Sequence, residues 1–273
     1  MSFLFLMVLF VLVSQLGLYF FNLLNFWPQK QGNEVAGIMF GGISLIYSLV
    51  LAFVIVAVWG NYEDLGKTIE TESDKLNGIM AHTATLPDSI KKPLSMALYN
   101  YCDQVIKEEW RMKKEIEDDQ PSAIPNLRMM LLKLDPADKV QAGIFTVIDT
   151  DLSAISDLRR DRLSHSRSQV PAMVWLVLKI GSIMLVVFSY FFVVPSQLLK
   201  RIYLFFLTSF IGLCMFLLYA LDRPFDGPSA ISFRPYQNIM LEIKQFYAFH
   251  PQNPLTKSTK DLGEVPIVKE QSF

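Results

Sequence analysis

Apolar residues gather into four windows along the chain, and charged residues avoid those windows almost completely. The windows run from Phe3 to Phe26, Ala36 to Trp59, Val170 to Val194 and Ile202 to Leu221. Roughly 20 apolar residues suffice for a helix to cross about 30 Å of hydrocarbon. Backbone amides in lipid must bond within their own segment, so each window predicts a helix. The expected fold class is therefore all-α: an integral membrane protein with four transmembrane helices and a helical cytoplasmic domain between the second and third. The corresponding segments are 1–60 for the first two helices, 61–169 for the inserted domain and 170–222 for the last two helices. Residues 223–249 form a C-terminal segment and 250–273 a polar tail, expected to be disordered. The first window has no basic leader and no small-residue cleavage site after it, which argues against a signal peptide.

Basic residues near the span ends set the expected orientation. With four spans, one side carries Lys67, Lys75, Arg159, Arg160, Arg162, Arg167, Arg223 and Arg234, and the other only Lys30, Lys200 and Arg201. The basic side is predicted to be cytoplasmic, with both termini and the inserted domain. The opposite loops are then short, at Pro28–Glu34 and Pro195–Arg201.

The inserted segment reads as helices with short breaks. No proline follows Trp59 until Pro87, so the second span is expected to continue out of the membrane, with Leu65, Ile69, Leu76 and Met80 on one face. Pro87 suits a helix start. The next stripe is Leu94, Leu98, Tyr101, Val105, Met112 and Ile116; Leu127, Met130, Leu131 and Leu134 suggest a short helix. Asp135 and Pro136 read as a cap and first-turn proline. A last stripe of Ile144, Ile148, Leu152 and Ile155 leads toward the third span, and antiparallel helical hairpins are expected. From Pro235 to Phe249 an amphipathic helix would place Ile239, Ile243, Phe246 and Tyr247 on one side.

Three kinds of residue go beyond this pattern. Glu109 falls in the gap of its stripe between Val105 and Met112, and Arg159 and Arg162 continue the stripe past Ile155. Charges on an apolar seam are costly unless paired. Either Glu109 bridges Arg159 or Arg162, or both helix ends reach solvent there. In the second span Gly37, Gly41, Ser44, Ser48 and Ala52 recur at spacings of three and four. Such a stripe lets helix backbones approach closely; it equally suits a water-filled path closed by Ile55 and Trp59. Lys179 lies eight residues past Pro171, about 12 Å along the third helix. No Asp or Glu lies in any window to pair with it. It is either a functional intramembrane charge or a lysine snorkelling to the headgroups.

Composition mainly excludes. With 25 Lys+Arg against 26 Asp+Glu the net charge is −1, so the chain as a whole is no nucleic-acid binder. Cys102 and Cys214 form no disulfide framework. His82, His165 and His250 have no ligand spacing, and no metal or other cofactor is expected. The acidic run Glu115–Asp119 lacks the spaced ligands and glycine of a calcium loop. No nucleophile–base pair or phosphate loop appears, so an enzyme is not expected.

The fourth span closes in Leu221-Asp222-Arg223-Pro224-Phe225-Asp226-Gly227. This resembles the L-D-R-P-F-x-G motif of a bacterial, bestrophin-like membrane family of unknown function. Trp59, Asn61 and Tyr62 are similar to its W-x-N-Y. Tyr101, Val105, Glu109 and Trp110 are similar to its Y-x3-V-x3-E-W, and Asp157, Arg159, Arg160 and Arg162 to its D-x-R-R-x-R, followed by Pro171 and Trp175. Phe233 departs from the family's S-P-x-P-F, and Arg111 stands where a proline often follows the tryptophan. The resemblance implies a multi-pass protein of the bacterial inner membrane. Bestrophins are pentameric anion channels whose second span lines the pore. By that analogy the expected function is a homo-oligomeric anion channel with inorganic anions and the lipid bilayer as partners. The alternative is a membrane scaffold or sensor whose cytoplasmic helices bind a protein. Bestrophin calcium-clasp residues do not carry over, because the acidic cluster expected after the closing turn is absent.

Overall fold

The computed structural model describes residues 2–23, 33–110, 124–132, 138–167, 170–225 and 229–248. The described residues are all-helical, with no strand among them. The helices are α1 (Ser2–Leu23), α2 (Asn33–Ala84), α3 (Asp88–Gln104), α4 (Ile124–Leu131), α5 (Lys139–Arg167), α6 (Ala172–Ser189), α7 (Gln197–Leu221) and α8 (Arg234–Ala248). By contact the chain divides into two compact units, Met1–Gly66 with His165–Ile231 and Lys67–Ser164 with Ser232–Phe273.

The first unit carries the apolar helices. Helices α2, α6 and α7 are each long and apolar enough to cross a membrane, and α1 is apolar from Val8 to Leu23. The third helix ends at Ser189, short of the expected Val194. Its last turn tightens through Tyr190 N–H to Val187 O (3.1 Å) and Phe191 N–H to Phe188 O (3.1 Å). The chain is then held by a side chain. Asn33 donates to Val193 O (2.7 Å) and accepts from Val193 N–H (2.9 Å), satisfying backbone groups that a helix would otherwise pair. The fourth helix starts at Gln197, earlier than Ile202. Lys200, read from sequence as loop, lies in its first turns and donates to Tyr190 O at 2.8 Å.

Leu18, Val186, Tyr190 and Leu204 form one core cluster, binding α1 and α7 to the end of α6. Leu51, Leu178 and Leu218 form a second, joining α2, α6 and α7. Two glycines make these contacts. A β-carbon at Gly181 would lie 2.5 Å from Tyr47 Cδ2, and one at Gly17 would lie 2.7 Å from the Tyr190 hydroxyl oxygen. The division at Gly66 falls six residues beyond the expected boundary for a polar reason. Asn61 pairs with His165 (Oδ1 to Nδ1, 2.6 Å), and the Tyr62 hydroxyl donates to Ser229 O at 2.9 Å, so both stay with this unit.

In the second unit α3 packs against α4 and α8. Leu65 at the end of the first unit and Ile69, Leu76 and Ile79 of the second are fully buried; Ile79, not Met80, completes the α2 stripe. Pro87 precedes α3 as expected. Helix α5 starts at Lys139, where the Asp138 carboxylate accepts from Val140 N–H (2.9 Å) and Gln141 N–H (3.4 Å). Those bonds hold the Asp138 carboxyl below its usual value. The cap expected at Asp135 and Pro136 lies outside the described residues, as do the acidic run, the Pro28 loop and the tail beyond residue 249. On α8 Tyr236, Ile239 and Ile243 are buried, whereas Phe246 is exposed beneath the Lys91 ammonium.

These contacts separate the glycines. Gly181→Ala should destabilise the purified protein by about 1–3 kcal/mol in thermal unfolding, because rigid ring atoms fill the space. Gly143→Ala on α5, where nothing lies within 4 Å of the added carbon, should stabilise it by about 0.5–1 kcal/mol.

Candidate functional site

Three helical segments of the second unit bring charged side chains to one buried point, and a fourth adds a tyrosine. Glu72 lies on the buried face of α2, three residues after Ile69 and four before Leu76. Helix α3 leads into a π-helical turn, Val105–Glu109. There Trp110 N–H donates to Val105 O at 2.9 Å, five residues back. The wider turn lets two consecutive residues, Glu109 and Trp110, both face inward. Arg159 and Arg162 come from α5, and Tyr236 from the first turn of α8.

The geometry is closed. Arg162 is 1% exposed and Glu72 0%. Arg162 Nε donates to Glu72 Oε2 at 2.8 Å, and its Nη2 donates to Glu109 Oε2 at 2.7 Å. Arg159 Nε donates to the other Glu109 oxygen at 2.7 Å. The Tyr101 hydroxyl donates to Glu72 Oε1 at 2.6 Å. Two carboxylates thus meet two guanidiniums, and the charges cancel. Burial disfavours the Arg162 charge, but Glu72, Tyr236 and Glu109 outweigh it and hold the guanidinium well above its usual value. Burial first, and the Glu72 carboxylate second, push the Tyr101 and Tyr236 hydroxyls well above the usual phenol value. Burial likewise pushes the Cys102 thiol up. The Tyr236 ring lies 5.8 Å from the Arg162 guanidinium and edge-on to Trp110 at 6.0 Å. Its hydroxyl is buried without a hydrogen-bond partner among the described residues.

Sequence spacing pointed to Glu109, Arg159 and Arg162; it missed Glu72, the one acid that engages Arg162 twice. The signal was present, because Glu72 interrupts an apolar stripe just as Glu109 does. The bridge of Glu109 is to both arginines rather than to one.

In the first unit the closing motif is a structural joint. Asp222 accepts from Val170 N–H (2.7 Å) and from Trp175 Nε1–H (3.3 Å), tying the end of α7 to the start of α6. The Arg223 guanidinium stacks 4.6 Å over Tyr219. Pro224 O accepts from Ile231 N–H at 2.7 Å, and Phe225 is half-buried. Lys179 is exposed on α6, with its ammonium 5.6 Å over the Trp175 ring, one turn back toward Pro171.

The small-residue stripe is left open by its own chain. Gly41, Ser48, Ala52 and Trp59 are exposed, Ser44 and Ile55 half-buried. Nothing lies within 4 Å of a β-carbon built at Gly41. Ser44 and Ser48 donate backward to Gly41 O (3.0 Å) and Leu45 O (2.9 Å), so their hydroxyls are satisfied within the helix. Ile55 leans on the Leu51–Leu178–Leu218 cluster, apart from the open face.

Apolar helices with a helical insertion define an all-helical integral membrane protein. A family model described as a bestrophin-like domain matches residues 6–236, and the chain belongs to that family. Among solved structures, a point variant of a bacterial bestrophin homolog from Klebsiella pneumoniae superposes with a TM-score of 0.69 at 12% identity, over 91% of this chain and 100% of that one. Another variant of it gives 0.67 at 12% identity, over 89% and 99%. A variant described as a membrane protein gives 0.66 at 13% identity, over 93% and 100%. At these identities the likeness is one of fold. A comparison with curated proteins finds no match.

Removing one partner of the buried network should cost far more than removing its idle hydroxyl. Glu72→Gln or Arg162→Met should destabilise the protein by about 3–5 kcal/mol in thermal unfolding, since each strands a buried charge. Tyr236→Phe should be neutral or stabilising, because its hydroxyl is desolvated without return.

The tyrosines also fix an alkaline limit. Folded Tyr101 and Tyr236 hold their protons where the unfolded chain releases them, so the stability they contribute is complete below about pH 10. It is lost as pH rises from there toward their folded values. Unfolding temperatures measured across that range should fall more steeply for the wild type than for Tyr236→Phe.

Proposed function

We propose that the chain forms a homo-oligomeric channel, a pentamer in the bacterial inner membrane, that passes inorganic anions along a pore lined by α2. Both termini and the helical insertion lie on the cytoplasmic side in this reading, following the basic residues. The observation that carries it is the open stripe. Large apolar side chains on a span are served by lipid, but small and hydroxylated ones gain little from it. Gly41, Ser44, Ser48 and Ala52 suit a lumen or a neighbouring copy, and among the described residues Gly41, Ser48 and Ala52 are left exposed. Membership of the bestrophin-like family supports the same assignment, as analogy. Trp59 would form an apolar constriction that closes by dewetting, with Ile55 supporting its helix from the packed side.

The second reading, a scaffold that binds a protein partner, draws on exposed Met129 and Leu132 of α4 and Val140 and Val147 of α5.

Reconstituted in planar bilayers, the purified oligomer should conduct, with its reversal potential following the anion gradient. Trp59→Ser should raise the open fraction by wetting the constriction. A folded protein that runs as a monomer or dimer and gives no current above background overturns the channel and favours the scaffold.

A further inference from the structure

Two cations stand at the end of the first unit where α6 begins and α7 finishes, and each lies over an aromatic ring. Lys179 reaches back over Trp175 at 5.6 Å. Arg223 stacks on Tyr219 at 4.6 Å. Trp175 is fixed from behind, because its indole N–H donates to Asp222, the residue before Arg223. The Asp222 carboxylate is already engaged by that indole and by Val170 N–H. Both cations are exposed. Lys179 belongs to an apolar surface of α6 that includes Leu176, Ile180 and Ile183.

A lysine four residues inside Trp175 starts about 6 Å deeper along the helix. It cannot leave its charge in hydrocarbon, and its stem is long enough to bring the ammonium to the headgroup level. Aromatic rings favour that level for the same reason. Among the described residues the local sum is two positive charges against one occupied carboxylate, which favours an anion at the membrane surface.

We propose that Lys179 and Arg223 form a binding site for the phosphate of an anionic membrane phospholipid, with its acyl chains along the apolar face of α6. The site does not depend on whether the protein conducts. Arg223 offers the planar fork that suits phosphate oxygens, and Lys179 a point charge from the hydrocarbon side. Trp175 and Tyr219 hold both heads in place before the lipid arrives.

Native mass spectrometry of the full-length, detergent-purified protein provides the test, with phosphatidylglycerol and phosphatidylcholine as probes. The wild type should retain the glycerol lipid about fivefold more than the choline lipid, the effect of one basic residue near a surface. Lys179→Met should abolish that preference and Lys179→Arg preserve it, both with unchanged thermal unfolding in lipid-free detergent. Arg223→Gln should weaken it as well. Equal preference in wild type and Lys179→Met overturns the proposal. So does displacement of the lipid by inorganic phosphate, which would make the free anion the ligand.

Discussion

The second unit depends on one neutralised cluster of charge. Arg162 is held between Glu72 and Glu109, and its burial is tolerable only because both carboxylates are present. Three helical segments far apart in sequence must therefore reach their final positions together. The π-helical turn belongs to the same requirement. An ordinary turn would direct Glu109 or Trp110 inward, but not both. With the wider turn Glu109 reaches the arginines while Trp110 meets Tyr236 and Phe233. Leu94, Leu98, Leu127 and Ile155 of the same unit are fully buried, and burial of the charges away from water strengthens every bond in the cluster.

The first unit solves a different problem, that of helix ends at a membrane. Its joints are single polar side chains reaching distant backbone. Asn33 closes on Val193, Lys200 on Tyr190, Asp222 on Val170 and Tyr62 on Ser229. Each satisfies an amide or carbonyl at a helix end or in the segment just beyond one. The membrane-spanning stretches themselves pack through Gly17 and Gly181 against tyrosines, whereas Gly41, Ser48 and Ala52 of α2 stay exposed.

Much of this was legible in the sequence, for identifiable reasons. The existence and order of the apolar helices follow from hydrophobic runs, although their ends shift by several residues, and the continuation of α2 past Trp59 follows from the lack of a break there. Glu109 was visible as a gap in a stripe. Glu72 is hard to single out because its neighbours Thr71, Ser73 and Asp74 are also polar, so one inward charge does not stand out from a polar run. The π-helical turn leaves no composition signal, since it is a change of backbone pitch. Small residues differ in how far the sequence alone marks them. The spacing of Gly41 to Ala52 is regular, whereas Gly17 and Gly181 are isolated and acquire meaning only from the tyrosines opposite. Lys200 and Arg201 read as loop because charge near a span end signals an edge, although a helix runs through both.

The pairing of α1 with α7 has a consequence for how the protein is made. Leu18 meets Leu204, Gln15 bonds Arg201 O, and Asn22 bonds Gln197. The ribosome delivers α1 first and α7 nearly last, at about 5–20 residues per second. For some tens of seconds the N-terminal helix lives in the bilayer without its main partner. It is only partly suited to the wait: Ser14 turns its hydroxyl onto Val11 O in its own helix, whereas Gln15 and Asn22 find their partners only when α7 arrives. Translation order makes α1 the element whose final place is decided by the last of the apolar helices.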